Sequence, residues 1–257
     1  MNNSQEIKQL NLTKVRIWQL GNHRLINGDS RSKETIEKLF SDGVKITSVI
    51  CDIPYGISYV ESKSGIASIK VQKDIENDNI TDEKEYIKFN EDWLRSIIPH
   101  LTNKNSIYIF NCDKMIFALR QAMVNVGIKF TQLLIWIKNQ AIIGRMDYLP
   151  QHELIAYGWY KRHAFVRAKD KSVLFYPRPS KSKYHCTTKP HALMKDLILN
   201  STRVGDVVFD GFLGSGSTLL SCEETGRICY GCEIDLDYCK TIIGRFEKRY
   251  GIKAIEI

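Results

Sequence analysis

Apolar runs of strand length alternate with helix-period stretches along most of this 257-residue chain, and little else about it narrows the fold so far. Residues 46–51 (ITSVIC), 106–110 (SIYIF), 130–137 (FTQLLIWI), 153–157, 207–209 and 228–233 read as strands. Helical periodicity falls between them, over about 32–41, 83–98, 113–126, 190–200, 217–225 and 236–249. Ile36, Leu39 and Phe40 share one helical face; Tyr86, Phe89, Trp93 and Ile97 form one stripe. Residues 15–27 read as two short strands around Gly21-Asn22. Strands that alternate with helices imply a doubly wound, largely parallel sheet. Ligands of such sheets lie beyond the carboxyl ends of the strands.

The length suits one α/β domain spanning residues 1–257. A formal net charge of +8 suits a polyanionic partner as well as it suits an ordinary basic enzyme. No run approaches the roughly 20 apolar residues of a membrane span. The start, MNNSQEIKQLNLTK, lacks the apolar core of a signal peptide, so the expected location is the cytoplasm. Seven scattered cysteines fit reduced thiols there. Cys229 and Cys232 form a C-x-x-C without a second pair at zinc spacing, so buried thiols are expected and no metal site.

Two strand ends carry chemistry. The run ITSVIC ends at Asp52-Ile53-Pro54-Tyr55. The run VVFDGFLGSGSTLL joins a strand to a helix through Gly211, Gly214 and Gly216, which permit a tight turn and close approach by a ligand. Leu219 stands where a dinucleotide fingerprint needs its third glycine, and no G-K-[ST] comes after it, so neither a complete dinucleotide motif nor a P-loop is present. The next strand ends at Glu233, which suits ribose hydroxyls or a solvated surface equally. Asp29, between a strand and a helix, suits a helix N-cap or a ligand contact.

Asp52-Ile-Pro-Tyr55 resembles the D-P-P-Y motif of DNA methyltransferases that modify exocyclic amines. Residues 210–218 resemble that family's D-P-F-x-G-x-G-T-T cofactor motif. His185-Cys-Thr-Thr-Lys189-Pro190-His-Ala-Leu193-Met194 resembles its H-x-T-x-K-P-x-x-L-M segment. Residues 134–139 (LIWIKN) and His152-Glu153 match two more family stretches. Catalytic motif first and glycine loop last is the order of the circularly permuted β group. Ile53 and Gly211 depart from the pattern, each standing where the family has proline; the second would loosen the cofactor loop.

The resemblance implies a Rossmann-like class I methyltransferase fold with a mostly parallel seven-stranded sheet. It implies S-adenosylmethionine as cofactor and double-stranded DNA as substrate. Asp52, Pro54 and Tyr55 would be catalytic. Asp29, Asp52, Lys189, Pro190, Asp210, Phe212, Gly214, Gly216, Ser217, Thr218 and Glu233 would line the cofactor site, with Asp29 on the adenine amino group and Glu233 on the ribose. The acid at position 52, where cytosine-N4 enzymes usually carry serine, favours N6 of adenine. RNA or protein-glutamine methylation, a DNA-binding protein without catalysis and a dehydrogenase are the other readings; intact Asp52, Pro54, Tyr55 and Glu233 oppose the catalytically dead one. Several permuted relatives dimerise, so a homodimer, and beside it a cognate restriction endonuclease, are the protein partners to be expected.

In that group the target-recognition segment precedes the cofactor motif, here about 140–184. Residues 161–184 hold eight Lys or Arg against Asp170 alone, interleaved with Phe165, Phe175, Tyr176 and Tyr184. That composition suits phosphate contacts with some base stacking. Lys138, Arg145, Lys161, Arg162, Arg167, Lys169, Arg178, Lys181 and Lys183 are the expected DNA contacts. A segment this short predicts a short or weakly read site. The polar loop 57–80, with Lys63, Lys70 and Lys73, is expected to close over a flipped base.

Overall fold

A computed structural model describes residues 15–56, 79–141, 147–167, 170–178 and 189–257. Its first elements are the expected hairpin: β1 (Arg16–Leu20) turns at Gly21-Asn22 and pairs antiparallel with β2 (His23–Asn27). Helix α1 (Lys33–Leu39) comes next, with Ser32 accepting from the Thr35 amide at its N-terminus. Then come β3 (Ile46–Asp52), α2 (Glu83–Ile97), β4 (Leu101–Asn111), α3 (Ile116–Asn125), β5 (Ile128–Ile137) and β6 (His152–Tyr160). The chain continues through β7 (Arg162–His163), β8 (Val173–Phe175), α4 (His191–Ser201), β9 (Val207–Asp210), α5 (Ser217–Thr225), β10 (Ile228–Glu233), α6 (Leu236–Tyr250) and β11 (Ile255–Glu256).

The sheet runs β11-β1-β2-β10-β9-β3-β4-β6-β5-β8, with β7 attached to β4. The described residues thus hold eleven strands, where seven were expected. Seven of them, β2 to β5 in that spatial order, form the central body. Strands β2, β10, β9, β3 and β4 are mutually parallel; β6 alone is reversed within the seven, between β4 and β5. Of the additions, β1, β11 and β8 lie at the margins, and β7 pairs with the start of β4. Strands β7, β8 and β11 are two or three residues long, too short to show a period in sequence.

Strand alternation divides the core in two. Val49, Cys51, Ile107, Ile109 and Phe209 pack with Ile36 of α1, Trp93 of α2 and Leu119 of α3. Ile50, Tyr108, Phe110 and Val208 pack with Leu197 of α4, Leu220 of α5 and Phe246 of α6. The stripe Tyr86, Phe89, Trp93 and Ile97 is buried as expected. Cys229 and Cys232 are both buried free thiols, but three residues apart on a strand they enter opposite cores. Among the described residues no helix is long and apolar enough to cross a membrane.

The reversed strand adds one more element to the edge where the parallel strands finish. Carboxyl ends of β2, β10, β9, β3 and β4 meet there, and β6 brings its first residues to that same edge. Asn111, the last residue of β4, pairs with Leu154.

Candidate active site

Asp52 closes β3, and the chain then turns through Ile53, Pro54 and Tyr55. Ile53 is buried in the core beside α2, which anchors the turn without the proline usual there. The Pro54 carbonyl accepts from the Tyr86 hydroxyl at 2.8 Å, and Asn111 Nδ2 donates to that hydroxyl at 2.9 Å. Gly56 ends the turn at φ +65, where an added Cβ would stand 2.3 Å from the Ile80 carbonyl oxygen, so only glycine fits.

Four charged side chains and one phenol meet at this turn. Lys189 Nζ lies 2.5 Å from Asp52 Oδ2 and 3.3 Å from Glu153 Oε2. Lys138 Nζ lies 2.7 Å from Glu153 Oε1. The Tyr55 hydroxyl is 3.0 Å from Asp52 Oδ1 and 2.8 Å from Glu153 Oε2. The side chains of Lys189 and Lys138 are only 5% and 2% exposed, so both ammonium groups have lost most of their hydration and depend on the carboxylates beside them. Burial, helped by the nearby Glu153 charge, raises Asp52 above the usual aspartate range despite Lys189. Burial also acts upward on Glu153, but Lys189, Lys138 and Tyr55 outweigh it and hold that group low. Burial and both carboxylates push the Tyr55 phenol well up, so it stays a neutral donor. Lys189 is held high, since its two carboxylates outweigh burial, and it stays charged.

The glycine loop adjoins this cluster. The Gly211 amide donates to Cys51 Sγ at 3.3 Å, tying the loop to β3 one residue before Asp52. A proline there would have no N–H to give, so the departure at Gly211 fastens the loop where loosening was expected. Phe212 packs against Phe89 and Trp93, on the helix whose Tyr86 supports Pro54. Gly216 sits at φ +83 with Ile242 beneath it and starts α5, which Ser217 and Thr218 open as expected. Asp210 accepts from Thr218 Oγ1 at 2.5 Å and from the Phe212 amide at 2.9 Å. Glu233 accepts from the amides of Gly214 at 2.7 Å and Asp235 at 2.9 Å. These partners are neutral, and burial lifts both Asp210 and Glu233 to about 7. Buried carboxylates of this kind suit a ligand that brings hydroxyls and positive charge.

The remaining residues singled out in the sequence are more scattered. Asp29 lies beyond β2; its Oδ2 accepts from Arg31 Nε at 2.9 Å and Nη2 at 2.6 Å, and its Oδ1 accepts from the Arg31 amide at 2.9 Å. It is not the helix cap, which is Ser32. Pro190 is buried at the start of α4, but the Lys189 ammonium points to Asp52. Lys138, expected on DNA, is instead buried against Glu153. Residues 152–160 of the segment 140–184 belong to the sheet. Because β6 is reversed, the residues after it lie at the opposite edge: Arg162 pairs with Lys104 near the start of β4. Lys161 and Arg162 are therefore roughly 25 Å along the sheet from Glu153. Arg167 pairs with Asp196 on α4. Arg178 is exposed on the active-site side, where its amide donates to Asn139. Arg145, Lys169, Lys181, Lys183, Tyr184, the loop 57–78 with its three lysines, and His185–Thr188 of the K-P segment lie outside the described residues.

Sequence reasoning found Glu153 only as part of a matching stretch and gave it no role. The usable signal was a carboxylate one residue into a buried strand (HELIAY), and a lysine closing another (FTQLLIWIK).

A parallel sheet with one reversed strand inside its edge, and acids at adjacent strand ends, defines the class I methyltransferase architecture. The model of a DNA methylase family, that of N6 and N4 amino-methyltransferases, matches residues 46–244. The chain belongs to that family. The Type II methyltransferase M.HpaI of Haemophilus parainfluenzae is 27% identical over 207 residues, covering 70% of this chain and 65% of that enzyme. The alignment thus spans just under two thirds of the relative. The crystal structure of an M1.HpyAVI–SAM complex superposes with a TM-score of 0.63 at 21% identity, covering 86% of this chain and 98% of that one. The PvuII DNA methyltransferase, described as cytosine-N4-specific, gives 0.69 at 16% identity over 89% and 87%. At such identities the two structures speak for the fold.

Proposed function

We propose that this chain transfers the methyl group of S-adenosylmethionine to the exocyclic N6 of adenine in double-stranded DNA. The observation that carries the reading is the placement of Asp52 beside the glycine loop, joined through the contact between Gly211 and Cys51. An adenine amino group is a poor nucleophile, since its lone pair is delocalised into the ring. Asp52 would accept a hydrogen bond from that amine, and the Ile53 carbonyl a second. Two fixed acceptors favour a pyramidal nitrogen with its lone pair free for the methyl group. Alignment of this kind is worth roughly 7–11 kcal/mol. The Tyr55 ring offers a stacking face for an extruded base.

The cofactor supplies a methyl group on a cationic sulfur, an electrophile with a neutral leaving group. Glu233 would hold the ribose, Asp210 and Phe212 with Gly214 and Gly216 the methionine end, and Asp29 the adenine. Arg178, beside Lys138 and Asn139, is the described basic residue best placed for a phosphate contact. The same reading carries a flipped base, a homodimer and a cognate restriction endonuclease as expectations. The test is incubation with labelled S-adenosylmethionine and unmethylated genomic DNA, then nucleoside mass spectrometry. N6-methyladenine is the expected product. N4-methylcytosine instead would overturn the choice of base, and no label in DNA would overturn the reading as a whole.

A further inference from the structure

The Lys189 ammonium donates to Asp52 Oδ2, while the single Tyr55 O–H is shared between Asp52 Oδ1 at 3.0 Å and Glu153 Oε2 at 2.8 Å. A carboxylate can accept further hydrogen bonds, but an amine that approaches Oδ2 competes there with the Lys189 ammonium. Lys189 holds the shorter contact and is buried, so once displaced it cannot retreat into water. It needs a second anion within reach. Glu153 Oε2 is that anion, already 3.3 Å away. Glu153 cannot swing off to meet another partner, because Lys138 holds its other oxygen. Two carboxylates and two ammonium groups therefore balance inside the cluster.

We infer that Glu153 is a positioning residue, the counter-charge that lets Lys189 release Asp52 to the incoming amine. This rests on the reading of Asp52 as the acceptor of that amine. Without the Glu153 charge, Lys189 has Asp52 as its sole carboxylate in the cluster, and the amine must compete with a full buried ion pair. The catalytic acid becomes less available to substrate although no group touching the base has changed.

The groups that face Asp52 are Lys189 ahead of α4, Tyr55 on its own turn, Glu153 from β6 with Lys138 behind it, and Asp210 at the end of β9. Glu153 and Asp210 oppose ionisation of Asp52 and Lys189 favours it. Removing the Glu153 charge therefore moves the ionisation of Asp52 to lower pH.

The experiment is steady-state transfer from labelled S-adenosylmethionine to unmethylated genomic DNA, across pH, with the full chain and Glu153→Gln. The variant should raise KM for DNA roughly tenfold to a hundredfold, the range for losing one charge-assisted contact. The acid limb of kcat/KM should move to lower pH, and S-adenosylmethionine affinity by calorimetry should stay within about twofold. Glu153→Asp, which keeps the charge, should return the acid limb to its wild-type position. A merely structural role would lower the melting temperature and the active fraction without moving that limb downward. If Glu153→Gln does not fold, Glu153→Gln with Lys138→Met removes the buried pair together and should shift the limb in the same direction by less, since a cation is lost with the anion. A folded variant with unchanged KM for DNA and an unmoved acid limb overturns the inference. Asp52→Ala separates the two claims. If it still transfers at the wild-type rate, the reading of Asp52 fails; if it is inactive while Glu153→Gln behaves as wild type, only the role of Glu153 fails.

Discussion

The two edges of the sheet carry similar residue types to opposite ends. At the edge where β3, β9 and β10 finish, Lys138 and Lys189 are buried and each is matched by a carboxylate. At the edge where β4 begins and β6 ends, Lys161 and Arg162 are exposed to water. Local sequence does not separate Lys138 from Lys161: each comes directly after an apolar strand that includes aromatic residues. The difference is strand direction. A lysine after β5 ends among the acids of the parallel strands, and a lysine after the reversed β6 ends on the far side. A count of positive charge along the chain therefore says that a polyanion suits the protein, not which edge meets it.

The strongest way to break this comparison is Asp52→Ala. Methyl transfer to DNA should fall by about 10³-fold, the scale for loss of one preorganised polar contact to the reacting group, with cofactor binding largely kept. Transfer assays paired with calorimetry would show it. Next comes stability. Lys138→Met leaves the Glu153 carboxylate without one of its two buried cations and should cost about 3–5 kcal/mol. Lys161→Met at the other edge should lie within about 0.5 kcal/mol of wild type. Equal losses in urea melts would mean that the two edges do not differ as described.

A smaller effect concerns Asp210 and Glu233, both at about 7 in the free protein. A ligand that needs them ionised binds better as pH rises through that value, and its binding pulls their ionisation lower. S-adenosylmethionine affinity should rise between about pH 6 and 8 by a few-fold to roughly tenfold, since one pKa unit corresponds to about a factor of ten. S-adenosylhomocysteine, with a neutral sulfur, should gain less. A flat calorimetric profile for the cationic ligand would argue against these acids as its partners. The smallest effect should be Arg178→Ala, which removes at most one phosphate contact and so lowers the salt slope of DNA binding by about 0.9. Arg162→Ala should leave that slope unchanged; the reverse result would move the DNA to the other edge.

Much of this was legible in the linear chain. The runs that became β3, β9 and β10 are buried and continuous, and the stripe Tyr86, Phe89, Trp93 and Ile97 repeats at helical spacing. Short-range patterns of this kind report local structure because burial imposes them residue by residue. The tetrapeptide at Asp52 and the loop from Asp210 were likewise visible, since each is a contiguous stretch at a strand end. Strands β7, β8 and β11 were not visible, because two or three residues carry no period.

Residue order alone therefore settled the alternation of elements, the two chemical motifs and the acid at each strand end. Only the folded sheet decided that Lys138 and Glu153 join Asp52, that Gly211 is fastened to Cys51, and that Arg162 faces away. The reason is that contacts between residues as much as 160 positions apart depend on which strands are neighbours and which way each one runs. Those are properties of the assembled sheet, and no window of sequence contains them.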